Sequence, residues 1–299
     1  MTDLKYHLAL IAAVCIWGSS YIASKIALAA FSPLLLCLIR FVLSSLCMFL
    51  IRLKRKRYIP SRNDLKYMTL SAASGIAVYY ALENIAVNMT SASDASLISA
   101  VYPVITILIG ILFFHLRTNR NEVLGILLGV FGVILLTVTG NDGTGSVPGN
   151  AMIAFNGCLW ACYNYMTQRI SDEPDDFTVT YYQTLIGTVL FIPALAFERN
   201  MHWSLSPGSI AAVLYLSLVC SLAALFLYNY GLRKVSAARA ASLMNLMPVA
   251  GVVLSVLVLH ETVTVKHLIG GAVIIAGVLL SARRPESTDR HPKNESVRS

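Results

Sequence analysis

The chain is 299 residues long, with 57% hydrophobic and 13% charged residues, a mean hydropathy of +0.69 and a formal net charge of +8. Soluble proteins carry roughly 45–50% apolar and about 25% charged residues, so this composition excludes a soluble domain and points to an all-α integral membrane protein. Lys and Arg sit in short segments between apolar stretches, a placement that argues against nucleic acid as a partner.

In chain order, apolar stretches run over Tyr6–Ala30, Ser32–Leu53, Leu65–Val87, Ser91–Leu116, Glu122–Thr139, Asn150–Gln168, Phe177–Phe197, Ser209–Leu232, Ala237–Leu259 and Val265–Ala282. Each is long enough to cross about 30 Å of hydrocarbon as a helix rising about 1.5 Å per residue. The expectation is ten transmembrane helices, spans one to ten, joined by short loops. Of the 23 Lys and Arg, a cytoplasmic N-terminus leaves only Arg199 and Lys266 outside, with Lys25 and Arg40 inside spans. The positive-inside rule therefore predicts a multi-pass protein of the cell inner membrane with both termini cytoplasmic.

The hydrophobic pattern occurs twice. AAVCIWGSSYIAS at Ala12–Ser24 returns as FNGCLWACYNYMT at Phe155–Thr167, and TSASDASLISAVYP returns as SAARAASLMNLMP. Trp17 aligns with Trp160, and Pro103 with Pro248, 143 and 145 residues apart. The turn between spans three and four carries no Lys or Arg, whereas its counterpart between spans eight and nine carries Arg233, Lys234 and Arg239. Opposite charge at equivalent turns predicts two inverted five-helix repeats, residues 1–145 and 146–284. A polar tail, residues 285–299, has the composition of a disordered segment. Inverted halves are a build of secondary transporters, with the substrate site where the halves meet.

Ionisable groups at membrane depth are costly and mark candidate sites. Lys25, Arg40 and Glu83 are the clearest. Arg40 lies too deep in span two to reach either surface and needs a cavity or a partner. Lys25 and Glu83 are roughly level, so they read either as an internal salt bridge or as a substrate contact and a proton-carrying carboxylate. Asp94 opens span four beside the capping candidates Ser91 and Ser93 and reads as a cap or dipole partner.

Aromatic and amide groups gather on the same spans: Trp17, Ser20 and Tyr21; Tyr79, Tyr80 and Asn84; Tyr102; Trp160, Tyr163 and Asn164; Tyr228 and Asn229; and Asn245. Trp17, Tyr21 and Ser24 share one helical face, as do Trp160, Asn164 and Thr167. Such faces suit a small amphipathic solute, or else glue helices together. Gly125, Gly129 and Gly132 on span five, with Gly270 and Gly277 on span ten, allow close helix approach within the chain or between copies.

Catalytic signatures are missing. No Gly-Lys pair supports a P-loop, and His260-Glu261 fails as HExxH because Thr264 stands at the fifth position. No cofactor or metal is expected, and the six cysteines all lie in apolar spans as small packing residues. The expected partners are a small-molecule substrate, the lipid bilayer and protons as a candidate coupling ion; the chain reads as a monomer or homodimer.

The segments CIWGSSYIASKIAL, LIRFVLSS, TSASDASLISAVYPVITILIGILFF and LHETVTVKHLIGGAVIIAGVLL resemble the EamA branch of the drug/metabolite transporter superfamily, in the same order and over Ala9–Ser281. The first copy departs from the family at His115-Leu116-Arg117, where members often show a Gly-Glu-Arg-like turn; the second keeps Glu261 there. The resemblance implies inverted five-helix halves and secondary transport, often export, of metabolites, amino acids or toxic compounds. It also implies a cavity among spans one, three, four, six, eight and nine, where the aromatic and amide residues fall. Uptake and an intramembrane lipid-modifying enzyme are the alternatives.

Overall fold

The computed structural model describes residues 4–55, 58–114, 120–138, 146–198, 200–244 and 247–281; Asn245, the His115-Leu116-Arg117 turn and the tail lie outside them. The described residues are overwhelmingly helical, and the one β-bridge, Phe31 with Trp203, ties two loops together. In chain order the helices are α1 (Leu4–Leu28), α2 (Pro33–Arg52), α3 (Arg62–Met89), α4 (Ala92–Phe113) and α5 (Arg120–Val138). There follow α6 (Val147–Thr167), α7 (Asp176–Phe197), α8 (Pro207–Leu232), α9 (Ala237–Leu243), α10 (Met247–Leu259) and α11 (Val265–Ser281). Among the described residues, α1 to α4, α7 and α8 are long and apolar enough to cross a membrane, with shorter apolar helices over Val123–Leu136 and Val265–Gly277. This is a multi-pass membrane protein.

Several helices start earlier than their apolar stretch because their first turn is set by a cap. Ser61 accepts from the Asp64 amide at 3.0 Å ahead of α3, and Ser206 and Ser209 form a capping box around Pro207 ahead of α8. Asp175 caps α7 through the Thr178 amide at 2.8 Å. Both α3 and α8 contain a π-helical stretch, Ala73–Val78 and Tyr215–Ala223. Such widening leaves carbonyls free for side chains: Cys220 O accepts from Trp17 Nε1 at 2.9 Å and Ser217 O from Ser44 at 2.7 Å.

The helices pack as α1 on α8, α3 on α6, α2 on α7, and α4 on both α6 and α10. Leu50, Phe113, Leu127, Phe131, Leu257 and Leu268 are exposed, as side chains facing lipid must be. The glycine stripes meet within the chain: a Cβ on Gly132 would strike Ile274 and Gly270, and one on Gly277 would lie 2.7 Å from Gly125 O. They therefore bring α5 and α11 together within the chain. Gly277→Val is expected to destabilise the fold by about 1–3 kcal/mol because the obstructing atoms are backbone. Gly208→Ala, which meets only Ser206 Oγ at 4.0 Å, should be neutral; thermal unfolding in detergent micelles tests both.

Candidate functional site

The repeat partners Trp17 and Trp160 meet at the centre of the bundle, ring centroids 5.3 Å apart and nearly perpendicular at 87°. Tyr228 packs 5.0 Å from Trp17 and 5.2 Å from Trp160, while Tyr163 stacks on Trp160 at 4.8 Å. Tyr79 continues the cluster, 5.3 Å from Trp160, 5.0 Å from Tyr80 and 6.4 Å from Tyr102. Gly75, in the π-helical stretch of α3, makes room for it: a Cβ there would fall on the Tyr163 ring. Edge and tilted ring pairs of this kind favour one arrangement over others, so the cluster is a rigid wall.

Arg40 lies against this wall with only 1% of its surface exposed. Its Nε donates to Ser221, and its guanidinium carbon sits 4.5 Å from the Tyr80 ring centroid. Neither Nη1 nor Nη2 has a hydrogen-bond partner in the protein. Glu83 accepts from the Tyr79 hydroxyl at 2.9 Å and lies within the field of Arg40 without forming an ion pair with it. The Tyr21 and Tyr102 hydroxyls are also buried, beside one another and within reach of the Glu83 charge. A buried guanidinium with two bare donors is expensive in hydrocarbon unless an anion or water meets it. The arrangement can hold a carboxylate or similar anion on Arg40 and apolar groups on the rings.

The other expected residues divide between this centre and helix joints. Asn84 bonds Pro33 O at 3.2 Å and Cys37 Sγ at 3.1 Å, tying α3 to α2. Its repeat equivalent Asn229 bonds Thr180 at 3.0 Å and Gln183 at 2.8 Å and accepts from Tyr163, tying α8 to α7 and α6. Ser20 bonds its own helix at Trp17 O, 2.7 Å. Asn164 accepts from Tyr228 at 3.1 Å and keeps a free Nδ2 in the centre. Lys25 is not part of the centre and does not pair with Glu83: it lines a cavity of about 330 Å³ with Ser91, Glu261 and His267.

Sequence reading missed Gln183, which donates to Ser71 at 2.7 Å and Thr167 at 2.9 Å. A lone amide in an apolar span was the signal for it. At the start of α4 the expected Ser91 cap is present, and an unexpected acceptor joins it. Ser91 accepts from the Asp94 amide at 2.9 Å, but the carboxylate at that helix end is Glu261, which accepts from the Ala92 and Ser93 amides, each at 2.9 Å. Asp94 instead is fully buried, 3.0 Å from His267 Nε2. At the opposite end, Arg233 pairs with Asp172 and Asp176, at 3.4 and 3.1 Å, and Arg55 with Asp175 at 2.9 Å. Burial pushes the Asp175 carboxyl up, but hydrogen bonds from Thr178 and the Arg55 charge outweigh it and hold the group below its usual range.

The sequence profile of the EamA-like transporter family matches residues 4–138 and 147–283. The chain belongs to that family. It is 30% identical, over 94% of its length and 98% of the relative's, to an uncharacterized transporter of Archaeoglobus fulgidus. It is 28% identical to the inner membrane transporter YedA of Escherichia coli K12, covering 91% of this chain and 89% of that one. A probable terminal-alkyne amino-acid exporter of Streptantibioticus cattleyicolor is 25% identical over 92% and 93% of the two chains. A solved crystal structure shares the fold at a TM-score of 0.69 and 19% identity, covering 93% of this chain and 96% of that one. The protein is a membrane transporter.

Proposed function

We propose that this transporter is a secondary carrier of the cell inner membrane that exports a small amphipathic solute with an anionic group, by alternating access around the Arg40 centre. The observation that carries the reading is the buried Arg40 guanidinium, whose two terminal nitrogens have no protein partner while aromatic rings surround it. Arg40 receives the anion; Trp17, Tyr80 and Trp160 hold the apolar part; Glu83 carries the coupling proton.

Ten spans in two inverted halves are part of the same reading. Three recurrences support it. The caps Ser61 and Ser206, and Ser91 and Ser236, stand 145 residues apart. The π-helical stretches recur at nearly the same offset. Exchanging the halves turns the α1–α8 contact into α6–α3 and leaves α2–α7 and α5–α11 unchanged, as a two-fold relation requires. The basic segments favour cytoplasmic termini, which sets Ser91, His260 and His267 at the outer end.

Metabolites inside and outside cells expressing the wild type or an Arg40→Ala Glu83→Gln double variant, compared by mass spectrometry, test the function. A carboxylate-bearing compound enriched outside only with the wild type is expected. Depletion from the medium identifies an importer, and no difference with a folded double variant removes the Arg40 centre as the site. With the compound identified, Glu83→Gln is expected to make transport independent of an imposed pH gradient while binding persists; pH-jump flux in proteoliposomes measures this.

A further inference from the structure

At the end of the bundle where α4 and α11 begin lies a titratable pair that the central site does not use. Asp94 is fully buried in the first turn of α4, and His267, 3% exposed, is the third residue of α11. His267 Nε2 lies 3.0 Å from Asp94 Oδ1. The Thr264 backbone amide, which can only donate, points at His267 Nδ1 from 2.9 Å. Nδ1 is therefore an acceptor, which leaves the hydrogen of the neutral imidazole on Nε2, close to Asp94 Oδ1 but off the line of a hydrogen bond. The other charged groups are few. Lys266 Nζ is 3.9 Å from Asp94 Oδ2, Glu261 holds the α4 amides, and Lys25 and His260 share the cavity that His267 also lines. Asn150 Nδ2 approaches Asp94 Oδ2 at 3.5 Å.

We infer that the Asp94–His267 pair is a proton-binding site, filled from that cavity. A hydronium ion gives its proton to the Nδ1 lone pair and leaves as water. Asp94 stays ionised and now faces an imidazolium, so the pair gains one positive charge. The Thr264 amide loses its acceptor, and the Thr264 hydroxyl, 2.9 Å from Nδ1, turns to accept the new hydrogen, which rearranges the bonds at the start of α11. Asp94 lies in the first turn of α4, and α4 carries Tyr102 two turns further on, beside Tyr21 in the central cluster. Proton occupancy at this end is thereby felt where the solute binds. The inference uses the proposed orientation only to name this end the outer one, and it needs no identified solute.

The test uses the proton itself as probe. Proteoliposomes of the full chain on a solid-supported membrane receive a pH step from 7.5 to 5.5 without solute, spanning the range over which imidazoles change charge, roughly pH 5–8. In a Glu83→Gln background, which removes the other proposed proton site, the chain is expected to give a transient charge displacement that falls about ten-fold or more when His267→Gln or Asp94→Asn is added. His202→Gln, at an exposed histidine whose Nδ1 lies 3.1 Å from Asn200 O, should keep the wild-type signal. A signal unchanged in folded His267→Gln overturns the inference. A signal absent from Glu83→Gln alone assigns the proton to Glu83, again overturning it while leaving the carrier intact. A silent wild type that still transports has the same meaning. If both variants fail to fold, the ¹⁵N shifts of the wild-type His267 imidazole in nanodiscs decide: a ring that stays neutral through the step rules the site out.

Discussion

Replacing Arg40 with methionine is expected to abolish transport and to leave the protein about as stable as before. Two charge-assisted hydrogen bonds from Nη1 and Nη2 to a solute anion are worth about 1.5–3 kcal/mol each, so flux should fall roughly 100-fold or more. Stability should move the other way. The guanidinium is buried with no ion pair, and its stacking on Tyr80 and bond to Ser221 offset only part of the desolvation cost. Exchanging a buried ion for an apolar side chain of similar volume is often neutral or stabilising by about 1–4 kcal/mol. Arg40→Lys keeps the charge but not the planar fork, and should recover only part of the flux. Flux of the exported compound into inverted vesicles, read beside thermal unfolding, checks both. Normal flux in Arg40→Met removes the anion site, and a large loss of stability makes Arg40 a structural group.

The largest effect on stability is expected from Trp160→Ala. Trp160 is 1% exposed and touches the rings of Trp17, Tyr79, Tyr163 and Tyr228. Truncation leaves a cavity walled by rigid rings that cannot collapse into it, so the loss should be about 3–5 kcal/mol. Trp160→Phe should cost about a third of that, since it keeps a ring. Trp17→Ala should weaken solute binding as well, because it also frees Cys220 O in the π-helical stretch of α8. Denaturant unfolding in mixed micelles measures the stability series. An unfolding free energy unchanged in Trp160→Ala would mean that the centre is already loosely packed.

The sequence by itself determined what depends on hydrophobicity and on order along the chain. Apolar length gave the helices, because a backbone in lipid must bond to itself. The aligned Trp17 and Trp160 pointed to a common centre, and the depth of Arg40 marked it as a group needing a cavity. Spacings within one helix were also readable, as in Tyr79 and Glu83, one turn apart and hydrogen-bonded. Only the tertiary structure decided which groups meet across helices. It parted Lys25 from Glu83, turned Asn84 and Asn229 into joints, made Gln183 a hub, and set His267 against Asp94. The physical reason is that hydropathy reports how deep a residue lies but not how its helix is rotated about its own axis. That rotation follows from packing of small residues, as where Gly132 and Gly277 let α5 and α11 touch, and from polar groups that must find partners away from lipid.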